Sequence, residues 1–426
     1  MLAAACGGGE ELNYSCPAPD AGPPDPNGNS GAIVAPAENP YTPEKAILGK
    51  ILFWDEQLSS DDTVACGTCH RPAAGGGDPR AITARHPGAD GLLGTADDPH
   101  GSPGIARCRM TAGGDVERLS HPIFGLEPQV TPRKAPSYLD ASLFTSVFWD
   151  GRTATQFVDP ETGEVAIAMG GALESQSVNP PLGTAEMACE GRTWADIRAK
   201  LARVRPLAKA SHLPGDVNRA LCATPTYPEL FTAAFGTPDI TARRIAFALA
   251  THERTLVSDK TPWDISNGSV GLPTGGGLTE QQERGRVLYF GKALCARCHP
   301  APRFANDQHV NLGFTDATFD TGRMQVTGLP EDLGKFQSAT VRNTGLREAG
   351  GLLHDGAMGL DLLIDLYSSP PTGRPNVDPR MSVVLDLTEP EKADLIEFVR
   401  NGLTDPRVAG ELPPFDRPTL ASEEVP

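Results

Sequence analysis

Four of the nine cysteines fall in two copies of one short pattern, Cys66-Gly-Thr-Cys69-His70 and Cys295-Ala-Arg-Cys298-His299. In a CxxCH segment both thiols can add across the vinyl groups of a single haem, and the imidazole that follows is then placed to ligate its iron. A chain of this size with nine Cys and nine His holds roughly 0.004 copies by chance, so two copies are a built feature. One zinc held by four thiolates is the other use of two CxxC pairs. Zinc ribbons, however, keep their pairs within about 15 to 20 residues, and here one pair begins at 66 and the other at 295. The spacing predicts two covalent c-type haems.

The rest of the composition is consistent with a large extracytoplasmic protein. A length of 426 residues allows two or three domains with full cores. With 37 basic against 54 acidic residues the net charge is −17, the wrong sign for gripping phosphate backbones or anionic lipids, which excludes nucleic acid as a partner. The 46 Gly and 40 Pro predict short helices separated by long ordered loops. No run of 18 apolar residues is present, so membrane attachment requires an anchor. Covalent haem attachment is carried out outside the bacterial cytoplasm, which predicts a periplasmic protein whose other cysteines can oxidise. Met1-Leu-Ala-Ala-Ala-Cys6 before Gly7-Gly8-Gly9 reads either as the tail of a lipoprotein signal, giving an outer-membrane lipid anchor, or as a frayed terminus. Residues 1–40 are then an anchor and flexible tether. Cys16, Cys108, Cys189 and Cys222 remain and allow two disulfides in three connectivities, with Cys189–Cys222 the preferred pair.

The helical pattern falls into two echoing parts. Thr42 and Pro43 suit the start of a helix whose apolar face is Ile47, Leu48, Ile51 and Leu52, ending near the first CxxCH. Gly49-Lys-Ile-Leu-Phe-Trp54 is echoed by Gly285-Arg-Val-Leu-Tyr-Phe290 before the second motif, there opened by a capping-box pair, Thr279 and Gln282. Further stripes run through Trp194, Ile197, Leu201 and Val204, and through Ile245, Ala248, Leu249, His252 and Leu256, with His252 read as a core histidine. Thr388 and Glu391 open a last helix that Gly402 stops. The segment from Arg71 to Pro136 is longer than a compact connection needs, as loops wrapped over a cofactor are. Asp90, Asp97 and Asp98 within it are either calcium ligands or solvated turn residues.

The two CxxCH motifs, Leu48-Gly-Lys-Ile-Leu-Phe-Trp-Asp-Glu-Gln-Leu-Ser59, Phe148-Trp-Asp-Gly-Arg152 and His354-Asp-Gly356 together resemble the bacterial di-haem cytochrome c peroxidase family, which includes the MauG-like enzymes, over residues 41–405. The resemblance implies a mainly α fold of two cytochrome c-like haem domains with long ordered loops. The first, over 41–265, would hold a peroxidatic haem, and the second, over 266–426, an electron-relay haem. It carries His70 and His299 over as iron ligands and Trp149 as the tryptophan between the haems. Gln176, Pro180 and Glu186 match the family's QxxxPxxxxxE segment on the distal side of the peroxidatic haem. Glu186 would shuttle a proton between the oxygens of bound hydrogen peroxide, with its pKa raised by a pocket of low dielectric. Tyr367, on the helix after His354, stands where the MauG-like branch has a haem ligand, and Met358 falls too early to replace it. The resemblance also implies calcium between the haems, but Lys134 occupies the position of its Asn ligand. Calcium is therefore doubtful, and the Lys134 ammonium is expected in its place. His86, His100 and His121 follow His70, and any of them could be a displaceable sixth ligand.

Three functions remain open. The chain is expected to be a periplasmic peroxidase that reduces hydrogen peroxide with electrons from a small cytochrome c or cupredoxin, relayed through the C-terminal haem. Alternatively it is a MauG-like oxidase acting on a partner protein or small substrate, or a di-haem electron carrier without enzyme chemistry.

Overall fold

The computed structural model describes residues 34–424 apart from 112, 154, 267–276, 318, 371 and 372, so the predicted anchor and most of its tether lie outside the described residues. Two separate hydrophobic cores organise the chain. The first is built on α1 (Pro43–Trp54), α3 (Trp194–Leu201), α4 (Tyr227–Phe235) and α5 (Ala242–Glu253), and α2 (Ala172–Ser177) joins α5 through a separate small cluster of Leu173 with Ala250. The second is built on α6 (Glu280–Phe290), α7 (Leu360–Ser368) and α8 (Glu389–Glu397). Cys66 packs against the first core and Cys295 against the second.

Each core turns on one close helix crossing. Thr42 caps α1 by accepting from Lys45 N at 3.2 Å, and α1 buries Leu48, Ile51, Leu52, Phe53 and Trp54. It lies so near α5 that a Cβ on Gly49 would stand 2.0 Å from the Ala248 carbonyl oxygen. Gly285 does the same in the second core, 2.0 Å from the Asp394 carbonyl oxygen on α8. The expected capping boxes form in α6 and α8, where Thr279 pairs with Gln282 and Thr388 with Glu391. Two stripes end earlier than their apolar pattern: Val204 and Leu256 lie in turns beyond Leu201 and Glu253. A wider turn, Phe398–Gly402, closes the last helix.

The long segment after His70 is folded rather than loose. It holds the antiparallel ribbons β1–β4 (Pro103–Ala106 with Pro128–Val130) and β2–β3 (Cys108–Met110 with Val116–Arg118). A disulfide joins Cys108 on β2 to Cys189. The preferred Cys189–Cys222 pairing is therefore wrong, and Cys222 is disulfide-bonded elsewhere. Sequence proximity suggested the wrong partner, because β2 is carried back across the first core to lie beside Cys189, where Met110 N donates to the Glu190 carbonyl at 3.0 Å.

The end of the chain crosses over. Val408, Phe415 and Leu420 belong to the first core. Lys50 pairs with Asp416 at 2.8 Å, and Glu56 accepts from Ala421 N at 3.0 Å. The expected 266–426 unit thus gives up its last residues to the first core.

Candidate functional site

The first CxxCH forms one helical turn, Cys66–Cys69, in which Thr68 Oγ1 accepts from Ala65 N at 2.9 Å. Gly67 is required there, since a Cβ would stand 2.2 Å from the Trp54 ring. Burial pushes the Cys66 thiol up to about 12 and that of Cys69 higher still, and neither is in a disulfide. Two free thiols within one turn are the groups that a CxxCH segment offers to the vinyl groups of a haem. The His70 Nδ1 lies 3.2 Å from the Gly76 carbonyl oxygen, and the Pro136 backbone also bonds the ring. Burial lowers the His70 pKa, so the imidazole is neutral with Nδ1 engaged, which leaves Nε2 for a metal.

The second motif repeats the scheme with other partners. Burial pulls His299 down to about 4, and the Ser338 hydroxyl lies 3.4 Å from its Nδ1. Tyr289 donates to the His299 carbonyl at 2.8 Å. Burial, then the Cys295 and Cys298 thiols, push the phenol of Tyr367 on α7 up, so it lies within electrostatic reach of this motif. Its ring meets Phe314 edge-on at 5.0 Å. Cys66, Cys69 and His70, with Cys295, Cys298 and His299, therefore fit two haems in their thiols and their neutral, oriented imidazoles.

A cavity of about 1070 Å³ opens beside the first motif and reaches the second half of the chain. Cys66, Cys69, His70, Trp149, Gln176 and Glu186 all line it. Gln176 is carried on α2, which Glu174 pins by a fully buried pair with Arg254 at 2.7 and 2.9 Å. Glu186 is half-buried, and Gly183 makes room for its carboxyl: a Cβ there would stand 2.4 Å from Glu186 Oε2. Burial raises the Glu186 pKa and the Arg152 cation opposes it. Both Cys66 and Cys69 feel its charge, so the carboxyl faces the first motif.

Trp149 joins the two motifs. Its indole Nε1 donates to the Lys134 carbonyl at 2.9 Å, two residues before Pro136 on the His70 ring. Its own carbonyl accepts from Gln337 N at 2.7 Å, next to Ser338 on His299. Hydrogen bonds and short covalent runs thus link Trp149 to both histidines. Backbone strain collects at these positions: Phe148, Leu294 and Leu353, immediately before Trp149, Cys295 and His354, hold φ of 70°, 55° and 67°. His354 stacks on Phe336 at 3.6 Å and lies 6.5 Å from the Trp149 ring.

Of the three loop histidines, His86 and His100 line the cavity and His121 does not. His100 Nδ1 is engaged by the Ala81 carbonyl at 2.9 Å, whereas the buried His86 Nδ1 has no partner among the described residues. His252 is a buried core residue, edge-on to Phe53 at 5.7 Å and pulled down to about 3 by burial. Asp90, Asp97 and Asp98 do converge, with ligand atoms within 4.8 Å of one another. They are spent on turn amides: Asp97 Oδ2 accepts from Ala89 N at 2.7 Å and Asp98 Oδ2 from Gly94 N at 2.6 Å.

Sequence reasoning missed three groups on the cavity wall, Arg152, Glu253 and Arg347, and one behind His299, Ser338. Arg152, quoted only within its motif, stacks on Phe148 at 3.5 Å and acts on Glu186. Glu253 lines the cavity and is pushed up to about 8 by burial. Ser338 and Arg347 stand in no pattern that marks them; only the tertiary fold brings them here.

The sequence profile of the family described as di-haem cytochrome c peroxidase matches residues 43–268. The methylamine utilization protein MauG of Methylorubrum extorquens is 29% identical over 377 residues, 88% of this chain and 82% of that one. The cytochrome-c peroxidase IdrP1 of Denitromonas iodatirespirans is 24% identical over 415 residues, 90% of this chain and 88% of its own. Among solved structures, a MauG-like protein associated with microbial copper homeostasis superposes with a TM-score of 0.58 at 25% identity, covering 89% of this chain and 94% of that one. With two oriented CxxCH histidines, a cavity beside the first and a profile match over more than half its length, the chain belongs to the di-haem cytochrome c peroxidase family and is an oxidoreductase of that peroxidase type.

Proposed function

We propose that this protein reduces hydrogen peroxide at the first site with electrons from a small cytochrome c or cupredoxin that enter through the second. The observation that carries this reading is the Glu186 carboxyl, half-buried and facing Cys66 and Cys69 across the cavity. Cys66, Cys69 and His70 would hold a haem, which when bound would supply an iron site for peroxide and the reducing equivalents that split it. Glu186 takes the proton from the inner peroxide oxygen and returns it to the outer one as that leaves. With two electrons from the donor and two protons from solvent, one peroxide becomes two waters. Gln176, on the same wall, orients the substrate. Trp149 relays between the sites, a role supported by its bonded links toward His70 and His299. The Cys108–Cys189 disulfide supports a periplasmic location.

One observation favours a second reading, in which the oxidising equivalents go to a partner protein or small substrate. Tyr367 lies within electrostatic reach of Cys295 and Cys298, and were it to ligate a haem held there, its phenolate would be an anionic, hard ligand favouring ferric iron and opposing electron entry. Steady-state peroxide turnover with reduced cytochrome c or ferrocyanide separates the two. Two donor electrons consumed per peroxide support the peroxidase. Peroxide loss without donor oxidation supports the oxidase, and no peroxide loss under either condition refutes both.

A further inference from the structure

Two cations stand where the two halves meet, and neither has a carboxylate. Lys134 is 3% exposed, and its ammonium donates to the Gly351 carbonyl. Arg347, on the same cavity wall, donates to the carbonyls of Arg342 and Thr340, both at 2.6 Å, and to the Thr344 hydroxyl at 2.9 Å. Among the described residues no Asp or Glu lies within ion-pair distance of either. The acids that act on them stand outside ion-pair distance. Asp78, which acts on Lys134, is paired with Arg80 at 2.8 Å, and Asp355 accepts from Ala357 N at 3.2 Å. Asp140, which acts on Arg347, accepts from Ser258 N at 2.8 Å through Oδ1 and leaves Oδ2 unpartnered among the described residues, yet it stands outside ion-pair distance of Arg347.

The two cations also repel each other. Burial and then Arg347 pull the Lys134 ammonium down to about 8, and burial pulls Arg347 down to about 10. Like charges held together away from water are a standing cost unless an anion joins them. No carboxylate of the described residues supplies that anion, and the two cations stand between the motifs. Arg347 is felt by His299, while the Lys134 carbonyl holds the Trp149 indole.

We propose that Lys134 and Arg347 form a clamp for haem carboxylates, binding propionates of the haems attached at the two CxxCH motifs. The inference rests on the di-haem reading, which supplies the only carboxylates not drawn from the chain. The clamp gives the region between the haems its positive charge without a metal ion. Removing either cation beside a propionate favours ferric iron and lowers the midpoint potential of the haem it serves.

The test is a potentiometric titration of the purified protein followed by absorbance, after pyridine haemochrome analysis establishes two haems per chain. Fewer than two would overturn the di-haem reading and the clamp together. Lys134→Gln and Arg347→Gln should each lower a midpoint potential, the double variant more than either, and Lys134→Arg should keep the wild-type value. Unchanged potentials in both single variants would overturn the clamp alone, as would an equimolar calcium ion retained by wild-type protein after dialysis against a chelator. If the neutral variants fail to load haem, wild type and Lys134→Arg are compared across pH. The groups facing Lys134 are Asp78, Asp355, Arg347 and His100. The wild-type potential should fall as the lysine loses its proton and the arginine variant should not follow it; identical profiles refute the assignment.

Discussion

The two CxxCH regions are built on the same helix crossing and then diverge in everything around it. In both, a glycine seven residues or less from the end of the leading helix lets a second helix approach to backbone contact, Gly49 against Ala248 and Gly285 against Asp394. In both, the motif histidine is buried, neutral and held by groups behind it. The first motif, however, is followed by two ribbons and the Cys108–Cys189 bridge, and it faces a cavity of about 1070 Å³ with Glu186 on its wall. The second has Tyr367 within electrostatic reach, itself packed on Phe314. The comparison teaches that one helix crossing can shelter both motifs, while what surrounds it differs: an inserted segment and an open cavity at the first, a core helix carrying Tyr367 at the second.

The sharpest way to break this contrast is to remove the proton carrier from the open site. Glu186→Gln should lower kcat for peroxide by about 10²–10⁴-fold while leaving circular dichroism and both haem spectra in place; a loss under threefold would show that Glu186 is not the acid–base group. Opening the bridge that braces the insertion should come next in size. Cys189→Ser is expected to cost about 2–5 kcal/mol in urea unfolding, and retention of full stability would mean the insertion holds without it. Gly49→Ala and Gly285→Ala test the shared crossing. Each should cost about 1–3 kcal/mol through overpacking, with the loss seen in the unfolding of its own half first, and a free substitution at either glycine would disprove the equivalence.

At the second site, Tyr367→Phe should change the ferric spectrum of one haem and raise its potential. An unchanged spectrum would remove Tyr367 from the ligand set. The smallest expected effect is a pH shift. Burial raises the Glu186 pKa, and the base form is the one that takes a proton, so kcat/KM should fall on acidification through a midpoint above that of an ordinary glutamate, about 4.3. Arg152 opposes that rise, so Arg152→Gln should move the acid limb to still higher pH. A limb that stays put would exclude Glu186 as the titrating group.

Much of this was readable from local sequence, because the devices involved are local. CxxCH is a covalent pattern complete within five residues, the capping boxes at Thr279 and Thr388 span four, and the Gly49 and Gly285 echo marks a helix face. The residues of the cavity wall that matched family motifs, Gln176 and Glu186, were found the same way. What depends on distant chain segments was not readable. Which cysteine meets Cys189 was decided by the path of β2 across the first core, and proximity in sequence pointed to the wrong partner. The return of Val408, Phe415 and Leu420 to the first core left no signal, since an apolar residue looks alike whichever core buries it. Ser338 behind His299, Arg152 near Glu186 and Arg347 near Lys134 are joined only by packing. Sequence by itself determined the covalent chemistry and the helices that shelter it, because both are written in short-range spacing. Tertiary structure alone decided access, charge balance and the route between the sites, because those arise from groups far apart in the chain that meet only when the two cores close on each other.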